Sequence, residues 1–511
     1  MAETVYVQPK RIIGFRCPMI YGHFLEHFHR EIYGGLYDPE SPSSDADGMR
    51  KDVITAIRRI KPAIIRWPGG CFASAYHWQH GVGARRQSCF DKSWRVEESN
   101  RFGTDEFVSF CRKVAAEPYI CTNAGTGTPE EMSQWVEYCN LKTGGQWATR
   151  RIRNGNPEPF KVKFWSIGNE NYLGGEMGSK SIAEWGTFVR ESAKMMKRVD
   201  PSIEIAAACM GVDQYYTIRR APYSPVDWNL SLLKEAGHLL DWISVHGYWD
   251  RLYRTERTNA TYETCMAYTL DIEKKILSAK YALGLSGYLG KIRVAFDEWN
   301  LRGWYHPHID SDTEDYLTPR DENDINSTYT MADAVFAACF LNCCLRHCDL
   351  VGMANFSPTV NARGAIFTHR NGIVLRPTYH VFDLYANSLG DTVIDSWIAQ
   401  NQGFEDASPG RTREIPDIDV VATKFSGRKG LAFSVVNRSP DSKRSVDFQI
   451  PDLGNYRSLS VQTVNGPDKD AYNDIDFPDR IRITKFARRV KNKEKLSFEL
   501  EPHSVSVLVL E

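Results

Sequence analysis

Short apolar runs alternate with amphipathic stretches through the first three quarters of the chain. Eight of these runs have the length and the content of β-branched and aromatic residues of buried strands; they cover residues 21–27, 62–70, 118–125, 163–170, 203–210, 241–249, 291–300 and 350–359. Sequence typical of a helix follows each run. The clearest case begins at Thr128-Pro129-Glu130, where threonine can cap a helix and proline can take its first position. Eight strand–helix units predict an α/β fold, a (β/α)8 TIM barrel, and the alternative is an open doubly wound sheet.

The pattern changes after about residue 386. Six segments there alternate apolar and polar residues between turn sequences: DVVATKFSG, GLAFSVVNRS, RSVDFQIPD, SLSVQTVNGPD, RIRITKFA and KLSFELEPHSVSVLVLE. This spacing of strands and turns predicts a C-terminal antiparallel β-sandwich domain. We therefore expect a barrel at residues 14–385 and a β-sandwich at residues 386–511, which an N-terminal strand at residues 1–13 joins.

Composition narrows the classes of function. Of the 511 residues, 42% are hydrophobic and 25% are charged, as in ordinary globular proteins, and the formal net charge is −1. A chain without excess positive charge has no general attraction for nucleic acid, and no apolar stretch reaches the roughly 18 residues of a membrane span. The 12 cysteines are too sparse for a disulfide scaffold, and the N-terminus lacks the features of a secretion signal. We expect a cytoplasmic protein with neither nucleic acid nor membrane as a partner.

Polar and charged residues stand at the ends of several predicted strands. Active sites of TIM barrels lie at the carboxyl ends of the strands, so these residues are the candidates for chemistry. The first run contains Glu26, the second contains Arg66, and Cys71 directly follows the second. The fourth run contains Asn169 and Glu170, the sixth contains His246 and Tyr248, and the seventh contains Asp297 and Glu298.

Glu170 and Glu298 form the most informative pair. They end the fourth and seventh strands, which face each other across a barrel mouth, and two carboxyl groups flanking a glycosidic bond are the equipment for glycoside hydrolysis. One of them must donate a proton and the other must attack. Arg66 and Tyr248 can hold the attacking carboxylate ionised and oriented through hydrogen bonds. The alternative is that such acids only form ion pairs or cap helices, which accounts for one acid more readily than for both.

The sequence around these residues resembles a known family. FLEH, RWPGGCFAS, WSIGNEN, HGYW and AFDEWN follow one another at successive strand ends. Together they resemble glycoside hydrolase family 51, the α-L-arabinofuranosidases, over residues 4 to about 390, and the C-terminal sandwich is similar in kind. The resemblance implies a retaining double-displacement mechanism, no metal or cofactor, and a homo-oligomer, often a hexamer. The implied reaction is the exo-acting removal of terminal non-reducing arabinofuranosyl residues from oligosaccharides such as arabinoxylan and arabinan fragments.

The resemblance also implies a role for each matching residue. Glu170 is similar to the acid/base of the family and Glu298 to its nucleophile, while Asn169 would bind the sugar 2-hydroxyl. The remaining matches are Glu26 for the distal hydroxyls of the furanose ring, Cys71 and Tyr248 at the sugar subsite, Trp304 on the aglycone side, and Arg66 and His246 as supporting residues.

Two positions depart from the family pattern. Many members have asparagine in place of Cys71, although a branch with RWPGGCF shares the cysteine. The eighth run of the family ends in a glutamine that touches the sugar, and here Pro358, which cannot donate a hydrogen bond, takes that place. A β-D-galactofuranosidase or broader furanosidase is therefore the alternative enzyme, and a carbohydrate-binding protein is the alternative without catalysis.

Two further segments have metal-binding alternatives. His23, His27 and His29 lie close in sequence, but no cysteine or aspartate at ligand spacing completes a site, and we predict no metal there. The acidic stretch 306–326 after the seventh run lacks the spacing and glycine of a calcium loop. It predicts a solvated lid over the mouth of the barrel.

Overall fold

Two sheets organise the chain in the computed structural model, which describes residues 2–211, 223–250, 259–303, 325–408, 411–490 and 495–511. The strands are β1 (Glu3–Phe15), β2 (Gly22–Phe24), β3 (Ile64–Trp67), β4 (Cys89–Asp91), β5 (Val96–Glu98), β6 (Glu117–Thr122), β7 (Phe164–Ile167), β8 (Glu204–Ala208), β9 (Trp242–Asp250), β10 (Arg293–Arg302), β11 (Val351–Phe356), β12 (Ile366–His369), β13 (Gly372–Leu375), β14 (Thr392–Ile398), β15 (Gly403–Ser408), β16 (Arg411–Pro416), β17 (Ile418–Lys424), β18 (Leu431–Asn437), β19 (Arg444–Gln449), β20 (Ser458–Asn465), β21 (Arg482–Arg489), β22 (Leu496–Leu500) and β23 (Ser504–Leu510). The α-helices are α1 (Lys51–Ile60), α2 (Thr104–Val114), α3 (Pro129–Asn140), α4 (Gln146–Arg153), α5 (Ile182–Val199), α6 (Pro225–Ala236), α7 (Tyr262–Tyr268), α8 (Ile272–Leu285), α9 (Met331–Arg346) and α10 (Pro377–Ser388).

Eight parallel strands close into a barrel in the order β2, β3, β6, β7, β8, β9, β10 and β11. Each of the eight predicted runs overlaps one of these strands, which extends at most two residues beyond the run at either end, so the prediction of a TIM barrel is confirmed. The helix expected after Thr128 begins at Pro129, and the Thr128 side chain accepts a hydrogen bond from the backbone of Glu131. Here the local capping signal and the barrel topology agree.

The interior of the barrel is filled with side chains. Seven strands contribute one buried residue each to a single cluster: Ile64, Tyr119, Phe164, Ala206, Trp242, Ala295 and Met353. A packed layer of this kind closes the interior, as in other barrels of this type, and leaves the strand ends for chemistry. The cysteines of α9 are buried among apolar neighbours, and all 12 cysteines are free thiols. No helix among the described residues is long and apolar enough to cross a membrane.

The second sheet has nine strands in the order β21, β20, β23, β18, β17, β14, β1, β19 and β22. Neighbouring strands are antiparallel, except that β1 runs parallel to β19. Its apolar face encloses a separate core that includes Val5, Phe433, Phe448 and Leu508. The predicted C-terminal antiparallel β-sandwich is confirmed as a fold class. We propose the domain division 14–385 and 386–511 with the N-terminal strand added to the second unit.

Candidate active site

Arg66 stands at the centre of the carboxyl end of the barrel. Its side chain is fully buried on β3, and Nη1 lies 2.5 Å from Glu298 Oε1. Nη2 donates to Asn169 Oδ1 at 2.9 Å, and Nε lies 3.5 Å from Asp297 Oδ2. One guanidinium group therefore connects the ends of β3, β7 and β10.

A register shift in β10 turns two consecutive acids towards the site. β10 pairs with β9 through Ala295 and Ser244, and then through Glu298 and His246, so three steps on β10 match two on β9. Consecutive residues of a regular strand point to opposite faces, and an extra residue in one strand breaks this alternation. Both Asp297 and Glu298 consequently reach the Arg66 side chain.

Asp297 is a buried anion that supports the site from below. Its two carboxylate oxygens accept hydrogen bonds from Tyr119 Oη at 2.8 Å and from Ser244 Oγ at 2.6 Å. Burial by itself would raise the pKa of Asp297, but the charges of Arg66 and His246 lower it to about 2. Asp297 is therefore ionised at neutral pH, where it offsets positive charge in the site.

Glu170 occupies a turn directly after β7. The backbone there takes left-handed conformations at Gly168, with φ of 69°, and at Glu170, with φ of 45°. This region costs a residue with a side chain roughly 1–2 kcal/mol, and such strain clusters at functional sites. The turn brings a carboxylate oxygen of Glu170 within 4.8 Å of one of Glu298.

His246 lies between the acids. Its Nδ1 is 2.8 Å from Glu170 Oε1 and 3.7 Å from Glu298 Oε2, and its Nε2 is 3.4 Å from Asp297 Oδ1. Burial lowers the pKa of His246, but the surrounding Glu298, Asp297 and Glu170 outweigh it and raise the pKa to about 10. The imidazole is therefore a cation at neutral pH that holds the Glu170 side chain in place.

Tyr248 fixes the second oxygen of Glu298. Its hydroxyl oxygen is 2.8 Å from Glu298 Oε2 and 2.8 Å from Ser357 Oγ. The tyrosine proton can go to the carboxylate while the serine donates to the tyrosine oxygen. Pro358 follows this serine. At the end of β11 it is therefore the side chain of Ser357 that joins the hydrogen bonds between Tyr248 and Glu298.

Glu26 forms the other wall of the site. Its Oε1 accepts hydrogen bonds from the Phe72 backbone at 3.0 Å and from Trp94 Nε1 at 3.2 Å. Burial and the charge of Glu298 raise the pKa of Glu26 to about 8. At neutral pH this carboxyl group carries a proton, so it can both donate to and accept from neighbouring hydroxyl groups.

Two glycines allow the acids to approach the loop after β3. A methyl group on Gly69 would lie 2.5 Å from Glu26 Cγ, and one on Gly70 would lie 2.8 Å from Glu298 Oε1. Any larger residue would displace one of the carboxyl groups. Cys71 follows them and begins a short 3-10 helix, Cys71–Ala75.

Asn169 completes the base of the site. Its Oδ1 is held by Arg66, and its buried Nδ2 has no hydrogen-bond partner among the described residues. An unsatisfied buried donor is costly, and binding of a hydroxyl group would remove that cost.

The structure brings together eight of the nine residues predicted for the site, and the ninth, Trp304, lies outside the described residues. So does most of the predicted lid, at 304–324. Five residues without a role predicted from the sequence contact the predicted residues: Asp297, Ser244, Ser357, Trp94 and Glu176. Tyr119 joins them through its hydrogen bond to Asp297. Of these residues, only Asp297 could have been assigned to the site from the sequence, because it directly precedes Glu298 at the end of a predicted strand.

Two groups of three residues bring potential metal ligands close together. In each group, Cys71, Glu170 and Glu176 or Glu170, His246 and Glu298, the ligand atoms lie within 4.8 Å of one another. Both contain Glu170, and the contact of His246 with Glu170 described above accounts for the proximity in the second group. The expectation that the site uses no metal stays a prediction.

Comparison with known proteins identifies the family of the chain. Residues 56–250 match the family model of the α-L-arabinofuranosidase 1 domain, and residues 297–504 match that of the α-L-arabinofuranosidase C-terminal domain. A probable α-L-arabinofuranosidase C of Aspergillus clavatus is 32% identical over 92% of this chain and 90% of its own length. An intracellular exo-α-(1→5)-L-arabinofuranosidase of Halalkalibacterium halodurans is 32% identical over 90% of this chain and 89% of its own length.

Solved structures of α-L-arabinofuranosidases are also similar to this chain. The thermostable family 51 α-L-arabinofuranosidase of Thermotoga petrophila superposes with a TM-score of 0.87 at 33% identity, and the match covers 100% of both chains. The TIM barrel and these arabinofuranosidase relatives together place the chain among the glycoside hydrolases. The chain belongs to glycoside hydrolase family 51, the α-L-arabinofuranosidases.

Proposed function

We propose that the protein is a retaining, exo-acting α-L-arabinofuranosidase that removes terminal non-reducing arabinofuranosyl residues from arabinose-containing oligosaccharides. Fragments of arabinoxylan and arabinan are the proposed substrates. The observation that carries the mechanism is that one carboxylate oxygen of Glu170 lies within 4.8 Å of one of Glu298. Retaining glycosidases hold their two carboxyl groups roughly 5–5.5 Å apart, whereas inverting enzymes leave more room for a water molecule.

Glu298 has the environment of the nucleophile. Arg66 at 2.5 Å and Tyr248 at 2.8 Å bind its two oxygens, and both interactions stabilise the ionised form. A carboxylate that is ionised and held in one orientation is prepared to attack the anomeric carbon and form a covalent glycosyl-enzyme.

Glu170 has the environment of the acid/base. It makes no contact with Arg66 in the structure, and its side chain is 16% exposed against 8% for Glu298. A group that protonates the leaving oxygen and later activates water needs this access to solvent. His246 holds it in place during both steps.

The remaining predicted residues form the proposed sugar subsite. The unsatisfied Nδ2 of Asn169 is available to the 2-hydroxyl, and the protonated Glu26 to the distal hydroxyls. Cys71 contributes a small neutral wall between them, and Trp304 is assigned to the aglycone side from the family resemblance alone.

We further propose a cytoplasmic homo-oligomer, a hexamer by family resemblance. The relative from Halalkalibacterium halodurans is named as intracellular, which supports the location.

A panel of 4-nitrophenyl glycosides tests which terminal sugar the enzyme removes. We expect turnover of the α-L-arabinofuranoside, with a kcat/KM at least about 100-fold above that of the α-L-arabinopyranoside, because the ring hydroxyls of a pyranose cannot meet Glu26 and Asn169 together. Proton NMR during reaction in aqueous methanol should show methyl α-L-arabinofuranoside as the first product, as retention requires.

Other outcomes of the panel have defined meanings. Preference for the β-D-galactofuranoside would favour the alternative enzyme, since Pro358 replaces the glutamine of the family. Activity confined to pyranosides, or sugar binding without turnover, would contradict the proposal.

Substitution of Cys71 tests the composition of the subsite. Burial and the carboxyl groups of Glu176, Glu26 and Glu170 raise the pKa of the Cys71 thiol well above its usual value, so the thiol is neutral and unreactive at neutral pH. Cys71→Asn restores the commoner family residue and adds one neutral hydrogen bond. Such a bond is worth about 0.5–1.5 kcal/mol, so we expect kcat/KM to change by no more than roughly tenfold.

The same substitution at a cysteine far from the site shows whether a change in kcat/KM is specific to Cys71. Cys17 is also half-buried, but it precedes β2 and so lies at the opposite end of the barrel. Cys17→Asn should leave kcat/KM unchanged. Loss of more than about 100-fold in the Cys71 variant, with normal thermal stability, would show that the thiol itself is required.

A further inference from the structure

A third carboxyl group stands beside the two proposed catalytic ones. Glu176 lies in the loop between β7 and α5, and one of its carboxylate oxygens, the Cys71 Sγ atom and a carboxylate oxygen of Glu170 lie within 4.8 Å of one another. All three residues are partly exposed to solvent. The mechanism described above gives Glu176 no role.

Side-chain and backbone contacts hold Glu176 in this position. Ser74 Oγ donates to Glu176 Oε1 at 2.9 Å. Asn171 Nδ2 donates to the Gly178 carbonyl at 2.9 Å, which closes the loop. A methyl group on Gly178 would overlap with Gly125 Cα, and one on Gly125 would overlap with the Ser74 carbonyl oxygen. The loop is thus packed backbone to backbone against the segment that supplies Ser74, and the carboxyl group is fixed before a substrate binds.

The neighbours of Glu176 indicate which part of a substrate it faces. In the proposed mechanism, Glu298 attacks the anomeric carbon from the face opposite to the leaving group, and Glu170 protonates the oxygen of that group. Side chains next to Glu170 are therefore on the side where the leaving group departs. Of the two catalytic carboxyl groups, Glu170 acts more strongly than Glu298 on the pKa of Glu176, and both raise it. Glu176 is thus beside the glycosidic oxygen on the side of the acid/base.

The carboxyl group of Glu176 is suited to bind a hydroxyl group. Burial and the charge of Glu170 raise the pKa of Glu176 to about 8, so most of this side chain is protonated at neutral pH. Its hydrogen-bond partners among the described residues, the Ser74 hydroxyl and the Cys71 thiol, both act as donors that favour its ionised form. A protonated carboxyl group has a proton to donate and an oxygen to accept with, as a hydroxyl group requires.

We propose that Glu176 is a specificity-determining residue for the leaving group: its carboxyl group binds a hydroxyl group of the sugar unit that departs, an interaction that an aryl leaving group cannot make. The proposal rests on the proposed function and names its substrate class more closely, as oligosaccharides whose departing unit has a free hydroxyl group near the glycosidic oxygen. A site built to bind a hydroxyl group discriminates against substrates that lack it. No proton moves in this interaction, so the protonation of Glu170 does not enter.

Glu176→Met tests the proposal, because methionine keeps the length of the side chain and lacks the hydroxyl-binding group. Arabinofuranosyl-α-(1→5)-arabinose, xylobiose with an α-(1→3)-linked arabinofuranosyl residue, and phenyl α-L-arabinofuranoside share the terminal sugar and differ in the leaving group. The ratio of kcat/KM, oligosaccharide to phenyl substrate, should fall about three- to tenfold with at least one oligosaccharide. One hydrogen bond between neutral groups contributes a change of this size.

Three further variants separate hydroxyl binding from damage to the loop. Glu176→Gln keeps a donor and an acceptor, so the ratio should stay within about threefold of the wild type. Ser74→Ala releases Oε1 and should lower the ratio in the wild-type background, but not further in the Glu176→Met background. Glu158→Met removes an exposed carboxylate that precedes β7, at the opposite end of the barrel, and should leave the ratio unchanged.

A ratio for Glu176→Met that falls by less than about threefold with both oligosaccharides, or that rises, would overturn the proposal. An equal loss with all three substrates belongs to this outcome, because it would place Glu176 at the terminal sugar or in the support of the loop. Failure of the proposed function would look different, since the wild-type protein would then turn over none of the three furanosides.

Discussion

Glu298→Ala is expected to lower kcat by at least about 10⁴-fold on every furanoside, whatever the leaving group. The reason is that no covalent glycosyl-enzyme can form without the attacking carboxylate. A 10⁴-fold loss corresponds to about 5.5 kcal/mol of transition-state stabilisation, which is far more than a lost hydrogen bond contributes. Steady-state kinetics with aryl arabinofuranosides of several leaving groups would measure the loss.

The fold should survive this substitution. Arg66 loses one partner but keeps Asn169 at 2.9 Å and Asp297 at 3.5 Å, so its charge stays compensated. The isosteric Glu298→Gln variant controls for shape and should be equally inactive, with a melting temperature near that of the wild type. Trapping with a 2-fluoro arabinofuranoside and intact-mass measurement should label the wild type and neither variant. Turnover within tenfold of the wild type in either variant would remove Glu298 from the role of nucleophile.

The barrel could be predicted because its signals are local. Buried parallel strands are short apolar runs, and capping residues such as Thr128 mark where the next helix begins. The same reasoning found every strand of the second sheet from β17 onwards, although the last predicted segment contains both β22 and β23. It missed β14, β15 and β16, since the hairpin of β15 and β16 is rich in charged residues and lacks a regular alternation.

The site could be predicted in part, because barrel topology brings strand ends together. Glu26, Arg66, Glu170 and Glu298 each end a predicted strand, and their convergence follows from closure of the barrel. No sequence pattern shows the register shift of β10, which lets both Asp297 and Glu298 reach Arg66.

Contacts from loops were beyond sequence reasoning. Trp94 reaches Glu26 from the segment between the short strands β4 and β5, and the two residues are 68 positions apart. Glu176 reaches the site through a loop whose path depends on close backbone packing at Gly125 and Gly178. Neither segment has a periodicity that would place its side chains, so only the folded chain reveals them.

Glu170→Ala is expected to respond to the leaving group, in contrast to the Glu298 variant. Phenyl arabinofuranoside should lose at least about 10³-fold in kcat/KM, because its leaving oxygen needs the proton. The 2,4-dinitrophenyl substrate should still form the glycosyl-enzyme rapidly. Its hydrolysis should then be slow, since no base activates water, and a burst of dinitrophenol equal to the enzyme concentration should precede the steady state.

Azide provides the decisive measurement, because this anion attacks without a base. Adding sodium azide to Glu170→Ala should restore turnover of the dinitrophenyl substrate and yield the α-L-arabinofuranosyl azide, in which the configuration of the substrate is retained. The cavity left by the missing carboxylate lies beside His246, whose positive charge favours entry of the anion. If azide rescued Glu298→Ala instead, with formation of the β-azide, and left Glu170→Ala inactive, the two glutamates would have the opposite roles. The product stereochemistry therefore assigns each carboxyl group to its side of the anomeric carbon.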